Sequence, residues 1–157
     1  MISYPILFGY RDLITCRGFI AFVKADGRAV LEHEDDGDQW LYGVYPGGIA
    51  GGGKETAEAA RTFKKRYLSV LFDIAEDAPD FDSFKKQVDA FFYEANEATK
   101  RAWDAAHAEV KKGKLQHQDL PKVDANTKPV NIEVLLVRNE DAKPSRFNRF
   151  DDFAEAA

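Results

Sequence analysis

Gly48, Gly53 and Lys54, within PGGIAGGGKET (residues 46–56), stand at the G-x-x-x-x-G-K spacing of a loop whose backbone amides cradle phosphates. Such a loop needs a Ser or Thr hydroxyl next, to hold Mg²⁺, and this chain has Glu55 there. A carboxylate at that point repels the phosphates the loop should bind. The surrounding elements argue the same way. A phosphate loop follows a buried parallel strand, whereas QWLYGVYP (39–46) alternates polar and aromatic residues behind a hairpin-connected meander. The later apolar run ending in Asp, LSVLFD (68–73), lies inside a helical stripe and cannot be the acidic strand of a nucleotide site. The glycines are therefore expected to make a tight, extended crossing from strand to helix, where backbone passes close to backbone.

Other residues with chemical potential are dispersed. HEDDGD (33–38) groups a His with four carboxylates, but it lacks the regular alternation and closing Glu of a calcium loop and reads as a solvated turn. His107 and His117 are isolated, neither in a helix-spaced pair nor beside a cysteine, which argues against zinc. Cys16 is the single cysteine, with no partner for a disulfide and no identifiable base to activate it. Glu32 and Glu133 are the few acidic residues on core strands, too sparse a set for a two-metal nuclease. No catalytic, cofactor or metal residue is assigned, and the chain is not expected to be an enzyme.

With 157 residues, 45% of them hydrophobic, the chain can bury a proper core. It reads as one domain over 1–139 followed by a C-terminal tail over 140–157. Its 27 acidic and 22 basic residues give a formal charge of −5, so no overall field draws it to nucleic acid or anionic lipid. No apolar run approaches the ~18 residues of a membrane span, and residues 1–20 alternate polar and apolar groups unlike a secretory leader. A cytoplasmic protein is expected.

The elements that would position these residues follow from periodicity. ISYPILFGY (2–10) is an apolar run that Pro5 demotes to an edge strand or extended arm. Asp26-Gly27 signals a hairpin and EDDGDQ (34–39) a second turn, giving an antiparallel meander over about 15–24, 28–34 and 39–45. In its last strand Trp40, Tyr42 and Val44 share one face, with Leu41 and Tyr45 on the other. Ala60, Phe63, Tyr67, Val70, Leu71 and Ile74 form a helical stripe, capped by Thr56 and stopped by Pro79. A second helix is expected over about 81–113, apolar along Phe81, Phe84, Val88, Phe91, Phe92 and Ala95, with a charged back half that projects or pairs with another copy. A polar loop and the strand VNIEVLLVRN (130–139) complete the domain. The class is α+β, an antiparallel sheet of three to four strands with two helices packed on it and 81–113 as a helical insertion.

A hairpin, then Pro46-Gly47, Gly52-Gly53, Thr56, Glu58 and Ala59-Ala60, then a late strand, together resemble the N-terminal domain of HicB-type antitoxins. The resemblance covers about residues 15–78 and 130–139 and implies a partial ribonuclease H-like fold. The chain departs from the family pattern in its longer glycine-rich loop and its helical insertion. Only about 18 residues follow the last strand, where the family carries a ribbon-helix-helix or helix-turn-helix, so DNA binding does not carry over.

The resemblance implies a binding protein that neutralises a small basic RNase toxin by covering its catalytic surface, as a homodimer or higher oligomer. An acidic chain suits a basic partner, because complementary charge speeds encounter. Trp103, on the weakly apolar half of the second helix, is an interface anchor if exposed. SRFNRFDDF (145–153) spaces Phe147, Phe150 and Phe153 at intervals of three with Arg146 and Arg149 between them. It reads as a helical turn docked on its own domain or as a partner-docking motif. Trp40, Tyr42, Tyr45, Phe91, Phe92 and Tyr93 read as core and rim. The alternative is a stand-alone oligomeric scaffold or ligand sensor of the same family; a hydrolase or nuclease lacks a visible site.

Overall fold

The computed structural model describes residues 1–137 and 153–157, so Arg146, Phe147, Arg149 and Phe150 lie outside the described residues. Two long strands set the architecture. β1 (Ile2–Thr15) and β2 (Ile20–His33) pair antiparallel along their full lengths, from Ile2 opposite His33 to Thr15 opposite Ile20. Their turn lies at Cys16 to Phe19, where the Cys16 amide donates to the Phe19 carbonyl at 2.9 Å and Gly18 adopts φ +83°, a conformation glycine reaches at no steric cost. Asp26-Gly27, expected as a hairpin, is in mid-strand. Gly27 faces Phe8 across the ladder, and a Cβ on it would come within 2.4 Å of the Phe8 ring and of the Tyr45 carbonyl oxygen. Glycine stands there because other atoms need the space, the other reason a strand carries one.

β1 is also not an edge or an arm. β7 (Ala154–Ala156) pairs with it at Ile6 and Leu7, stopping short of Pro5, whose nitrogen has no hydrogen to donate. The far edge of β2 is shared by two strands end to end: β3 (Gln39–Tyr45) on residues 28–33 and β6 (Asn131–Val137) on residues 20–26. β4 (Ala50–Gly53) extends the sheet beyond β3, and the short β5 (Lys122–Val123) runs parallel to β7. The protein is α+β with an open, mixed sheet, of seven strands among the described residues, in place of the three or four antiparallel strands expected.

Among the described residues three α-helices cover the two faces, where two were expected. α1 (Thr56–Asp77) buries Ala59, Phe63, Tyr67, Leu71 and Ala75 against Ile6, Phe8, Tyr10 and Ile14 of β1 and the matching face of β2. That stripe recurs every four residues, as a helix lying on a sheet requires. Thr56 opens the helix but does not cap it: Glu55 holds the cap position without a side-chain bond, Glu58 accepts from the Lys54 amide at 3.0 Å, and the Thr56 hydroxyl donates to Gln39. α2 (Phe81–Tyr93) adds Phe84, Val88 and Phe92 to the same core. The expected continuous helix over 81–113 breaks at 94–96. Asn96 caps α3 (Glu97–Lys111) by accepting from the Thr99 amide at 3.1 Å, and the Glu94 carbonyl accepts from the Gly47 amide at 3.2 Å. The break carries α3 to the opposite face of the sheet, where Trp103 packs on Leu7, Val30 and Val44. Among the described residues no helix is long and apolar enough to cross a membrane.

Candidate functional site

The glycine-rich stretch is a strand seated from both sides. A Cβ on Gly51 would lie 2.4 Å from the Phe63 backbone nitrogen, so only glycine lets α1 come this close. A Cβ on Gly52 would lie 2.6 Å from the Trp40 indole, which lies against it on the other face. Lys54, the residue a phosphate loop would direct at its ligand, is instead paired with Asp38. The expected close passage of backbone over backbone is present at Gly51, and the crossing itself is the ladder of β4 on β3.

The residues expected to contact a partner separate. Trp103 is 2% exposed: its indole N–H donates to the Ile6 carbonyl at 3.2 Å, the Arg28 guanidinium lies 4.3 Å above its ring, and His107 stands at 4.8 Å. The exposure its role as an anchor required is absent, because the helix break turns α3 onto the sheet. Phe153 is half-buried and stacks on Phe8 at 6.2 Å, directly before β7, so its ring serves the chain's own core. Arg146, Phe147, Arg149 and Phe150 lie outside the described residues.

A polar cluster that no sequence spacing announces forms at the start of β1. The His33 and His117 rings stand 5.3 Å apart, and Tyr4 lies edge-on to both, at 4.9 and 4.7 Å. Glu155, 0% exposed on β7, accepts from the His117 backbone amide at 2.9 Å, while His117 Nδ1 accepts from the Asp119 amide at 3.1 Å. Three buried atoms of this cluster have no hydrogen-bond partner among the described residues: His33 Nε2, His117 Nε2 and Glu155 Oε1. Burial lowers both imidazoles from their ordinary value, with His33 adding to the effect on His117, and burial raises the Glu155 carboxyl. Neutral imidazoles beside a carboxyl that tends to hold its proton are a combination that can pass protons. With His117 at 4% and Glu155 at 0% exposure, however, a substrate has no access to either. The cluster instead ties the C-terminal strand to the loop at 117–119 and to the end of β2. Among the described residues no three His, Cys, Asp or Glu side chains are arranged to hold a metal ion.

Nor does the thiol offer chemistry. Burial pushes Cys16 up to about 11, and its thiol donates a hydrogen bond to the Ile14 carbonyl at 3.6 Å, so at neutral pH it is a thiol and a poor nucleophile.

Two surface features on the sheet stand out among the described residues. Leu135 and Leu136 of β6 are 53% and 59% exposed on adjacent, oppositely directed positions, and among the described residues β6 pairs only with β2. On the other half of the sheet Trp40 is 37% exposed and stacks on Tyr42 at 6.1 Å with their planes 18° apart. The sequence marks β6 clearly as a strand, but its edge position depends on β2 being continuous through Gly27, which the turn signal there conceals. No family model matches the chain, and neither a curated protein nor a solved structure matches it.

Proposed function

We propose that this chain is a non-catalytic, cytoplasmic binding protein resembling the N-terminal domain of HicB-type antitoxins, and that it neutralises a small basic RNase toxin by direct contact. The observation that carries the reading is the edge of β6. Two exposed leucines on a strand that is an edge among the described residues form the kind of surface that proteins otherwise shorten, charge or cover. A partner strand laid along β6 would pair its outward amides and carbonyls and bury Leu135 and Leu136, one on each face. The formal charge of −5 favours a basic partner. An antiparallel run of strands followed by α1, with β6 returning late in the chain to the same sheet, is in keeping with the family resemblance. That late strand lies beside β2, and α3 packs on the face of the sheet opposite α1.

The same edge supports the second reading, a stand-alone oligomer in which β6 pairs with β6 of another copy. Capture from the native cell's lysate, followed by light scattering, separates the two. A stoichiometric small basic protein that is lost with Leu135→Lys/Leu136→Lys and kept with Phe72→Lys, at an exposed position of α1, supports the antitoxin reading. A homogeneous homo-oligomer that the same double variant dissociates supports the second. Retention of the partner by the double variant overturns the role of β6.

A further inference from the structure

We propose that Trp40, Tyr42, Glu32 and Glu34 form a cation-docking platform that receives an arginine side chain of the basic partner. This rests on the protein-binding reading and names a second contact within it. Glu32 lies directly across the ladder from Trp40, and Trp40 lies across from Gly52, so the three residues form one row across β2, β3 and β4. The indole lies against Gly52, where a Cβ would come within 2.6 Å of the ring, so the missing side chain leaves room for the ring on the sheet. Tyr42 continues the aromatic surface along β3.

The charges around the platform differ from those of the adjoining turn. Asp35 is taken by the Met1 ammonium at 2.7 Å and Asp38 by Lys54. Among the described residues neither Glu32 nor Glu34 has an ion pair. Both nonetheless act on the same neighbour, since their charges, after burial, raise the Tyr42 hydroxyl. Two carboxylates unpaired among the described residues therefore border an exposed aromatic surface. A guanidinium satisfies both parts at once, because its plane stacks on an aromatic face while its edge donates to carboxylates. A lysine ammonium matches the charge but not the plane. The chain already holds one such pair, with Arg28 over the buried Trp103 on this same face of the sheet.

The test uses the full chain and a dye-labelled oligoarginine peptide, read by fluorescence anisotropy at low salt. Trp40→Ala and Glu32→Gln/Glu34→Gln are each expected to weaken binding by about tenfold. Asp73→Asn/Glu76→Gln removes the same charge from exposed positions of α1 and is expected to weaken it by less than about twofold. Circular dichroism confirms that each variant is folded. Wild-type protein that does not bind the peptide overturns the platform, as does equal weakening by both charge variants, which marks a general field. Binding undiminished in Trp40→Ala overturns it as well. Leu135→Lys/Leu136→Lys lies on the other half of the sheet and leaves peptide binding intact, so failure of the platform and failure of the β6 reading are read separately.

Discussion

The His33 ring meets the His117 ring at 5.3 Å and 79°, joining the end of β2 to a loop residue that the C-terminal strand holds in place through Glu155. Both imidazoles are held below their ordinary value by burial, so the folded protein takes up protons less readily than the unfolded chain. The stability they contribute is complete above the ordinary His range, near pH ~6.5, and is lost as pH falls toward their folded values. His117→Asn keeps an acceptor for the Asp119 amide and removes one of the two titrations. Its stability to urea is expected to fall less than that of wild type between about pH 7 and about pH 5, so that the gap between them narrows in acid. A gap independent of pH would mean that His117 binds its proton equally well in the folded and unfolded states.

Glu155 acts in the opposite sense. Its raised value means that its contribution is present below the ordinary Glu range and declines as pH rises through the folded value. Glu155→Gln keeps an acceptor for the His117 amide while removing the buried charge. At neutral pH the variant is expected to be more stable than wild type, and the gain is expected to vanish in acid. Destabilisation at neutral pH would show that the ionised carboxylate is better satisfied than its unpartnered Oε1 indicates.

Trp103 carries the core between α3 and the sheet. Trp103→Ala is expected to cost about 3–5 kcal/mol by chemical denaturation, through the cavity it leaves. Trp103→Phe retains most of the packing and loses the bond to the Ile6 carbonyl. It should cost less than the alanine variant but more than the ~1 kcal/mol of a hydrogen bond, because the carbonyl is left buried. Values near zero for both would place Trp103 at the surface.

The glycines of β4 separate by what they face. Gly51→Ala drives a methyl group into the α1 backbone, which cannot move without shifting the whole helix, and is expected to cost about 3 kcal/mol or lose the fold. Gly52→Ala meets the Trp40 ring, a side chain with room to turn outward, and is expected to cost about 1–2 kcal/mol with a red shift of indole emission. Equal effects at the two positions would show that the sheet, not the neighbour, sets the cost.

These contrasts also show what the sequence makes legible. The stripe of α1 and the β6 strand stand out because each repeats its buried residues at the period of its element. β4 and β7 are built of Ala, Gly and Glu, which carry no such pattern; neighbouring strands and the helices on them fix their pairing. Gly27 misleads because one residue type serves both turns and close approaches, and here the Phe8 ring decides between them. Asn96, three residues before Thr99, is a cap signal that marks the helix break, although the surrounding helical composition masks it. The His33–His117 contact has no local signature, since it depends on where a polar loop returns against β7.

Amide hydrogen exchange tests the role of β6 most directly, comparing the chain produced alone with the assembly recovered from native cells. β-strand addition predicts that alternate amides of Asn131–Val137, exchanging freely in the isolated chain, become protected in the assembly, and that Leu135→Lys/Leu136→Lys abolishes both the protection and the assembly. An assembly whose protection lies elsewhere while β6 exchanges unchanged, or a chain recovered alone, would contradict the account.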